Sequence, residues 1–170
     1  MKRILMVLAP KDFRDSEYIV PRAFWEQNGA DVMTCSTEFQ STGKYGYKVT
    51  HDFEINEVCA GDFDALFFVG GGGSLELVDN EELKELTENF QQSKKVIGAL
   101  CAAPRNLLQW GILKGKKCTG YNGDGKLPDL CKKYGAQFVD QSTVTDGQYV
   151  TGTGPHSAEE TALALLDVLS

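Results

Sequence analysis

The stretch Val96-Ile97-Gly98-Ala99-Leu100-Cys101-Ala102-Ala103-Pro104 runs from unbroken hydrocarbon into a thiol, two alanines and a proline. An apolar run of this length reads as a strand buried on both faces, the kind found inside a parallel sheet. Pro104 suits an early position in a helix, where its missing N–H costs nothing. The stretch therefore predicts a strand that turns sharply into a helix. Such a corner crowds the residues two positions either side of its centre, and only small ones fit. Ala99 and Ala103 occupy those places around Cys101. Two readings of Cys101 stand at this point: a small buried hydrophobe, or a thiol activated by unpaired N–H groups and the helix dipole, which favour the thiolate.

The same alternation extends outward. Short apolar runs at Ile4–Ala9, Asp31–Cys35, Ala65–Val69 and Lys95–Leu100 are separated by amphipathic segments, the pattern of a parallel sheet covered by helices. Helices are expected over Ser16–Asn28, Glu81–Gln92, Pro104–Trp110, Lys126–Tyr134 and Ser157–Leu169. Gly43–Phe53 and Thr143–Thr151 look like hairpins added to the edges of the main sheet, the second turning at Asp146-Gly147. The 170 residues contain no long linker and predict one domain over 1–170.

Composition narrows the function. A net charge of −7 argues against nucleic acid, which needs a basic stripe. The N-terminal run ILMVLA is too short to span a membrane and reads as a first core strand. Five cysteines without a CxxC pair, and only two histidines, give no zinc-ligand spacing; the odd count suggests a reducing, cytoplasmic setting.

In a sheet of this type, ligands gather where strand ends feed into helices. Three loops qualify: Ala9–Glu17, Gly70–Ser74 and the corner at Cys101. Gly70-Gly71-Gly72-Gly73 lacks the lysine of a phosphate loop. It serves either as one half of an oxyanion hole, with the N–H of Ala102 as the other half, or as a flexible loop. In the first loop Ser16 or Asp15 can cap the helix, and Glu17 in the first turn is explained by the dipole alone.

Taken together, FRDSE at 13–17, FFVGGG at 67–72, GALCAAP at 98–104, KCTGY at 117–121, VTDGQYVT at 144–151 and Gly154-Pro155 resemble the ThiJ/PfpI superfamily over essentially the whole chain. That resemblance implies an α/β flavodoxin-like three-layer sandwich with a nucleophile elbow, and a homodimer. It assigns Cys101 as nucleophile, Glu17 as its carboxyl partner, and Gly72 and Ala102 as backbone donors. It implies cofactor-free glyoxalase or deglycase chemistry on a small aldehyde or dicarbonyl. A shared proton between thiol and carboxyl would raise the Glu17 pKa and depress that of Cys101.

Two departures bear on mechanism. Residue 102 is Ala, where peptidase-like members carry His, which weakens proteolysis. Tyr121 stands where deglycase-like members often place a histidine. Tyr121 and His156 are the remaining candidates near the site, and neither His51 nor His156 begins the His-x-Glu pair of a glutamine amidotransferase. An oxidation sensor or holdase built on Cys101, or a weak hydrolase, are the alternatives. Cys35, Cys59, Cys118 and Cys131 read as structural.

Overall fold

The computed structural model describes residues 1–170. Twelve strands and five α-helices follow in chain order. The central ones are β1 (Arg3–Val7), β3 (Asp31–Ser36), β6 (Phe53–Glu54), β7 (Ala65–Phe68), β8 (Val96–Leu100), β11 (Thr143–Asp146) and β12 (Tyr149–Gly152). They form one sheet in the order β11-β12-β8-β7-β1-β3-β6, parallel except for β11. The helices are α1 (Asp15–Gln27), α2 (Glu81–Gln92), α3 (Pro104–Gln109), α4 (Leu127–Lys133) and α5 (Ala158–Leu169).

Alternation along β1 explains the three layers. Ile4, Met6 and Leu8 enter one core with Trp25 of α1 and Leu165 of α5. Leu5 and Val7 enter the opposite core with Leu83 and Phe90 of α2 and Leu107 of α3. Successive strand side chains point to opposite faces, so an unbroken apolar run feeds both. Trp25 anchors the first core: its ring packs edge-on against Phe67 at 4.8 Å, and its indole N–H donates to the Ala162 carbonyl at 2.9 Å. Gly98 marks where the packing is tightest, since a Cβ there would lie 2.7 Å from the Phe67 ring.

The Thr143–Thr151 hairpin does extend the main sheet, as β11 and β12. The Gly43–Phe53 expectation requires correction. β4 (Gln40–Gly43) and β5 (Lys48–Thr50) pair antiparallel, but β4 continues onto β2 (Lys11–Phe13), making a separate three-stranded sheet. The remaining pair, β9 (Lys117–Cys118) and β10 (Gln137–Phe138), is also separate. Helix caps differ too. Arg14 occupies the N-cap of α1 without a side-chain bond. The Asp15 carboxylate instead accepts from the N–H groups of Tyr45 (3.0 Å) and Tyr47 (3.1 Å), holding the β4–β5 turn against α1.

The order β8-β7-β1 decides where chemistry can occur. The chain adds β3 on one side of β1 and β7 on the other, so the connections leave the crevice between them in opposite directions. Val7, Phe68 and Ala99 lie in register across the three strands. The loops that follow them therefore meet at one edge.

Candidate active site

Cys101 is the first residue after β8, with φ of +57°. A side chain seldom adopts this left-handed conformation, and its cost of about 1–3 kcal/mol is borne only where the surroundings over-determine it. Here they do. The Cys101 N–H donates to the Gly152 carbonyl at 3.0 Å, and the Cys101 carbonyl accepts from Tyr121 N–H at 2.7 Å. Ala99 and Ala103 flank the corner with no exposed surface. Pro104 opens α3, as its place in the sequence implied.

Glu17 is fully buried in the first turn of α1. Its Oε2 accepts from the Gly70 N–H at 2.8 Å. The Cys101 thiol faces the same carboxyl and helps to hold its pKa down, while Oε1 stays buried and unsatisfied. Burial pushes the Glu17 pKa up to about 7, against the pull of the Gly70 amide, the thiol and the Arg14 charge. The carboxyl thus sits near its midpoint at neutral pH.

The thiol does not show the depression expected for it. Burial pushes Cys101 up to about 11, and a charged Glu17 pushes in the same direction; amide donors pull the other way without prevailing. The helix behind it is only six residues long, so its dipole is a weak counterweight. Those donors are the N–H groups of Gly71 and Ala102. Gly72 lines the cavity, but it is the amide one residue earlier that faces the sulfur.

The glycine run is not a flexible loop. Gly71 has φ of +103°, and a Cβ there would lie 2.5 Å from the Arg14 nitrogen. A Cβ on Gly70 would strike Glu17 Oε2 and the Leu100 carbonyl and stand 2.7 Å from Cys101 Cβ. Gly70→Ala is expected to lower stability by about 2 kcal/mol or more, because backbone and carboxyl must both move. Chemical denaturation measures this, and an unchanged midpoint would contradict the packing described.

A cavity of about 410 Å³ opens over Cys101 and Glu17. Gly72, Ala102 and the half-exposed Tyr121 also line it. So do Asp12, Arg14, Lys44, Arg105 and Asp124, which the sequence did not single out. Arg105 and Asp124 form a bidentate pair at 2.8 and 3.0 Å; the one signal for it was Arg105 immediately after the elbow proline. Neither histidine lines the cavity. His156 is exposed and meets Thr153 Oγ1 at 3.0 Å. His51 is buried with Ser41 Oγ at 2.6 Å from its Nε2, and burial lowers its pKa to about 4.

The other thiols separate by exposure. Cys35, Cys118 and Cys131 are buried, with the sulfurs of Cys118 and Cys131 3.6 Å apart, while Cys59 is exposed. No helix is long and apolar enough to cross a membrane.

Comparison with known proteins places this geometry. A model of the DJ-1/PfpI family matches residues 2–168. An uncharacterised protein of Methanocaldococcus jannaschii is 40% identical over 169 residues, covering 98% of this chain and 82% of its own. The deglycase PfpI of Pyrococcus furiosus is 32% identical over 152 residues, 89% of this chain and 90% of that one. The crystal structure of a ThiJ/PfpI domain protein from Brachyspira murdochii superposes with a TM-score of 0.92 at 28% identity, covering 98% of this chain and 95% of that chain.

Proposed function

The chain belongs to the DJ-1/PfpI family, and we propose that it is a cysteine-dependent enzyme converting small 2-oxoaldehydes to 2-hydroxy acids. The observation that carries this reading is the pairing of a strained elbow thiol with a buried carboxyl that titrates near 7, at the floor of one cavity. A thiol needs a partner that can take and return a proton, and Glu17 is poised to do so without a histidine.

In the proposed cycle, the pair loses one proton. When Glu17 keeps the remaining one, the sulfur is the anion, steadied by the Gly71 and Ala102 amides. The thiolate adds to the aldehyde carbon, and its oxygen takes the Glu17 proton, giving a hemithioacetal. Glu17, now a carboxylate, moves the proton of that carbon to the ketone oxygen, giving an enediol, and then moves the proton of the first hydroxyl to the neighbouring carbon, giving a thioester. Water then cleaves the thioester, releasing the 2-hydroxy acid and the thiol. The aldehyde carbon loses two electrons to the adjacent ketone carbon, so the reaction consumes no outside oxidant or reductant. Lactate formation from methylglyoxal by the purified protein is the test. Absence of lactate above the spontaneous rate would remove the reading. Peptide hydrolysis is disfavoured, because residue 102 is Ala and neither histidine reaches the cavity.

A second reading, oxidation sensing, rests on the Glu17 carboxyl that faces the sulfur and keeps one oxygen buried and unsatisfied. One peroxide would convert the Cys101 thiolate to a sulfenate and a second to a sulfinate, each releasing water. A protonated Glu17 and the two amides would then hold the sulfinate. Mild peroxide followed by mass spectrometry is expected to place the sulfinate on Cys101. Oxidation spread evenly over all five cysteines would count against it.

A further inference from the structure

We propose that the cavity recognises a carboxylate on its substrate through Arg14 and Lys44, so that anionic 2-oxoaldehydes are favoured over neutral ones. This deepens the dicarbonyl reading and rests on it for the reaction, though not for the anion site itself.

Arg14 and Lys44 lie thirty positions apart in sequence. The Lys44 N–H donates to the carbonyl of Phe13, the neighbour of Arg14, at 2.9 Å. Asp15, buried and bonded to the amides of Tyr45 and Tyr47, locks the turn that carries Lys44. A Cβ on Gly43 would collide with the Asp15 carboxylate, so the turn is fitted closely to this anchor. Both cations lie over the Tyr45 ring, Arg14 at 5.2 Å and Lys44 at 5.8 Å from its centre.

Two like charges lining one cavity favour an anion between them. No protein carboxylate forms an ion pair with either cation. The ion pairs of the molecule are Arg3–Asp31, Arg22–Glu26 and Arg105–Asp124, and Arg14 Nε is buried without a partner. Among the cavity's own acids, Asp124 is occupied by Arg105 and Glu17 is buried between the thiol and the Gly70 amide. Asp12 is the remaining unpaired acid, against two unpaired cations. Both cations line the cavity that holds Cys101, and the Arg14 charge is felt at Glu17. A planar carboxylate fits the fork of an arginine, with an ammonium completing its charge.

The test uses two reagents that attack the same sulfur and differ in charge. Iodoacetate and iodoacetamide alkylation of Cys101 is followed by mass spectrometry in a Cys59→Ser background, which removes the exposed competing thiol. The iodoacetate-to-iodoacetamide rate ratio is expected to exceed that of glutathione about tenfold. Raising the salt should lower the iodoacetate rate alone. Arg14→Gln combined with Lys44→Gln should return the ratio to the glutathione value, the iodoacetamide rate of the same variant serving as the reference. A parent ratio no higher than that of glutathione, unmoved by salt, overturns the proposal even if the double variant fails to fold. Turnover of 4,5-dioxopentanoate against its neutral counterpart 2-oxopentanal then addresses the reaction. A high alkylation ratio without turnover of either compound leaves the anion site standing and removes the catalytic reading. Turnover that does not favour the anion, with a low ratio, does the reverse.

Discussion

Cys101→Ser is expected to reduce lactate formation from methylglyoxal by at least a thousandfold while leaving the fold intact. Serine has nearly the volume of cysteine and tolerates the same corner. Its hydroxyl, however, is a far weaker acid than a thiol and needs a strong base to become a nucleophile. The cavity offers a carboxyl near pH 7 and no histidine, so an alkoxide cannot form at useful concentration. Loss of a covalent nucleophile from such a site is typically worth several powers of ten. Turnover measured on purified protein, with thermal unfolding as the check on folding, decides the matter. Equal activity in both proteins would mean that the sulfur is not the nucleophile.

Glu17→Gln is expected to split stability from activity. The folded-state pKa of Glu17 is raised, to about 7 from 4.5, so between those values the native protein binds more protons than the unfolded chain. Stability therefore falls as pH rises from about 4.5 to about 7 and levels off above it. The shift corresponds to at most about 3 kcal/mol. A neutral glutamine keeps an acceptor for the Gly70 N–H and escapes the cost of burying a charge. The variant should melt several degrees above wild type at pH 8, with a much smaller difference at pH 5. Turnover should nonetheless drop at least a hundredfold, because an amide cannot relay the proton. A variant that is less stable at pH 8, or whose advantage does not change with pH, would show that the carboxyl carries no burial cost.

The main elements were legible because their signals are local. The unbroken runs at 65–69 and 95–100 gave β7 and β8, and α2 spans Glu81–Gln92 as its periodicity requires, capped by Asn80 Oδ1 on the Leu83 N–H at 2.8 Å. The small sheet of β2, β4 and β5 was not legible as such. Three- and four-residue strands have too few positions to show a period, and β2 meets β4 across about thirty residues of chain. The residues around the elbow could be placed near one another from loop order alone. Their energetics could not: the Cys101 pKa depends on burial, which no local spacing reveals and which outweighs the amide donors. The choice of Gly71 over Gly72 at the sulfur depends on one positive φ. Arg14 and Lys44 escaped notice because a single backbone bond and a buried aspartate join distant segments, and Asp15 in that role was indistinguishable from a helix cap.

The most direct test is the rate of Cys101 alkylation by iodoacetamide against pH, read by mass spectrometry in wild type and Glu17→Gln. If thiol and carboxyl share one proton, the wild-type profile rises in two steps, the first near pH 7 and the second toward 11. The variant then rises once, below the upper wild-type step. Superimposable profiles with a single inflection near the ordinary thiol value of about 8.5 would show that the two groups titrate independently, and the proposed chemistry would have no basis.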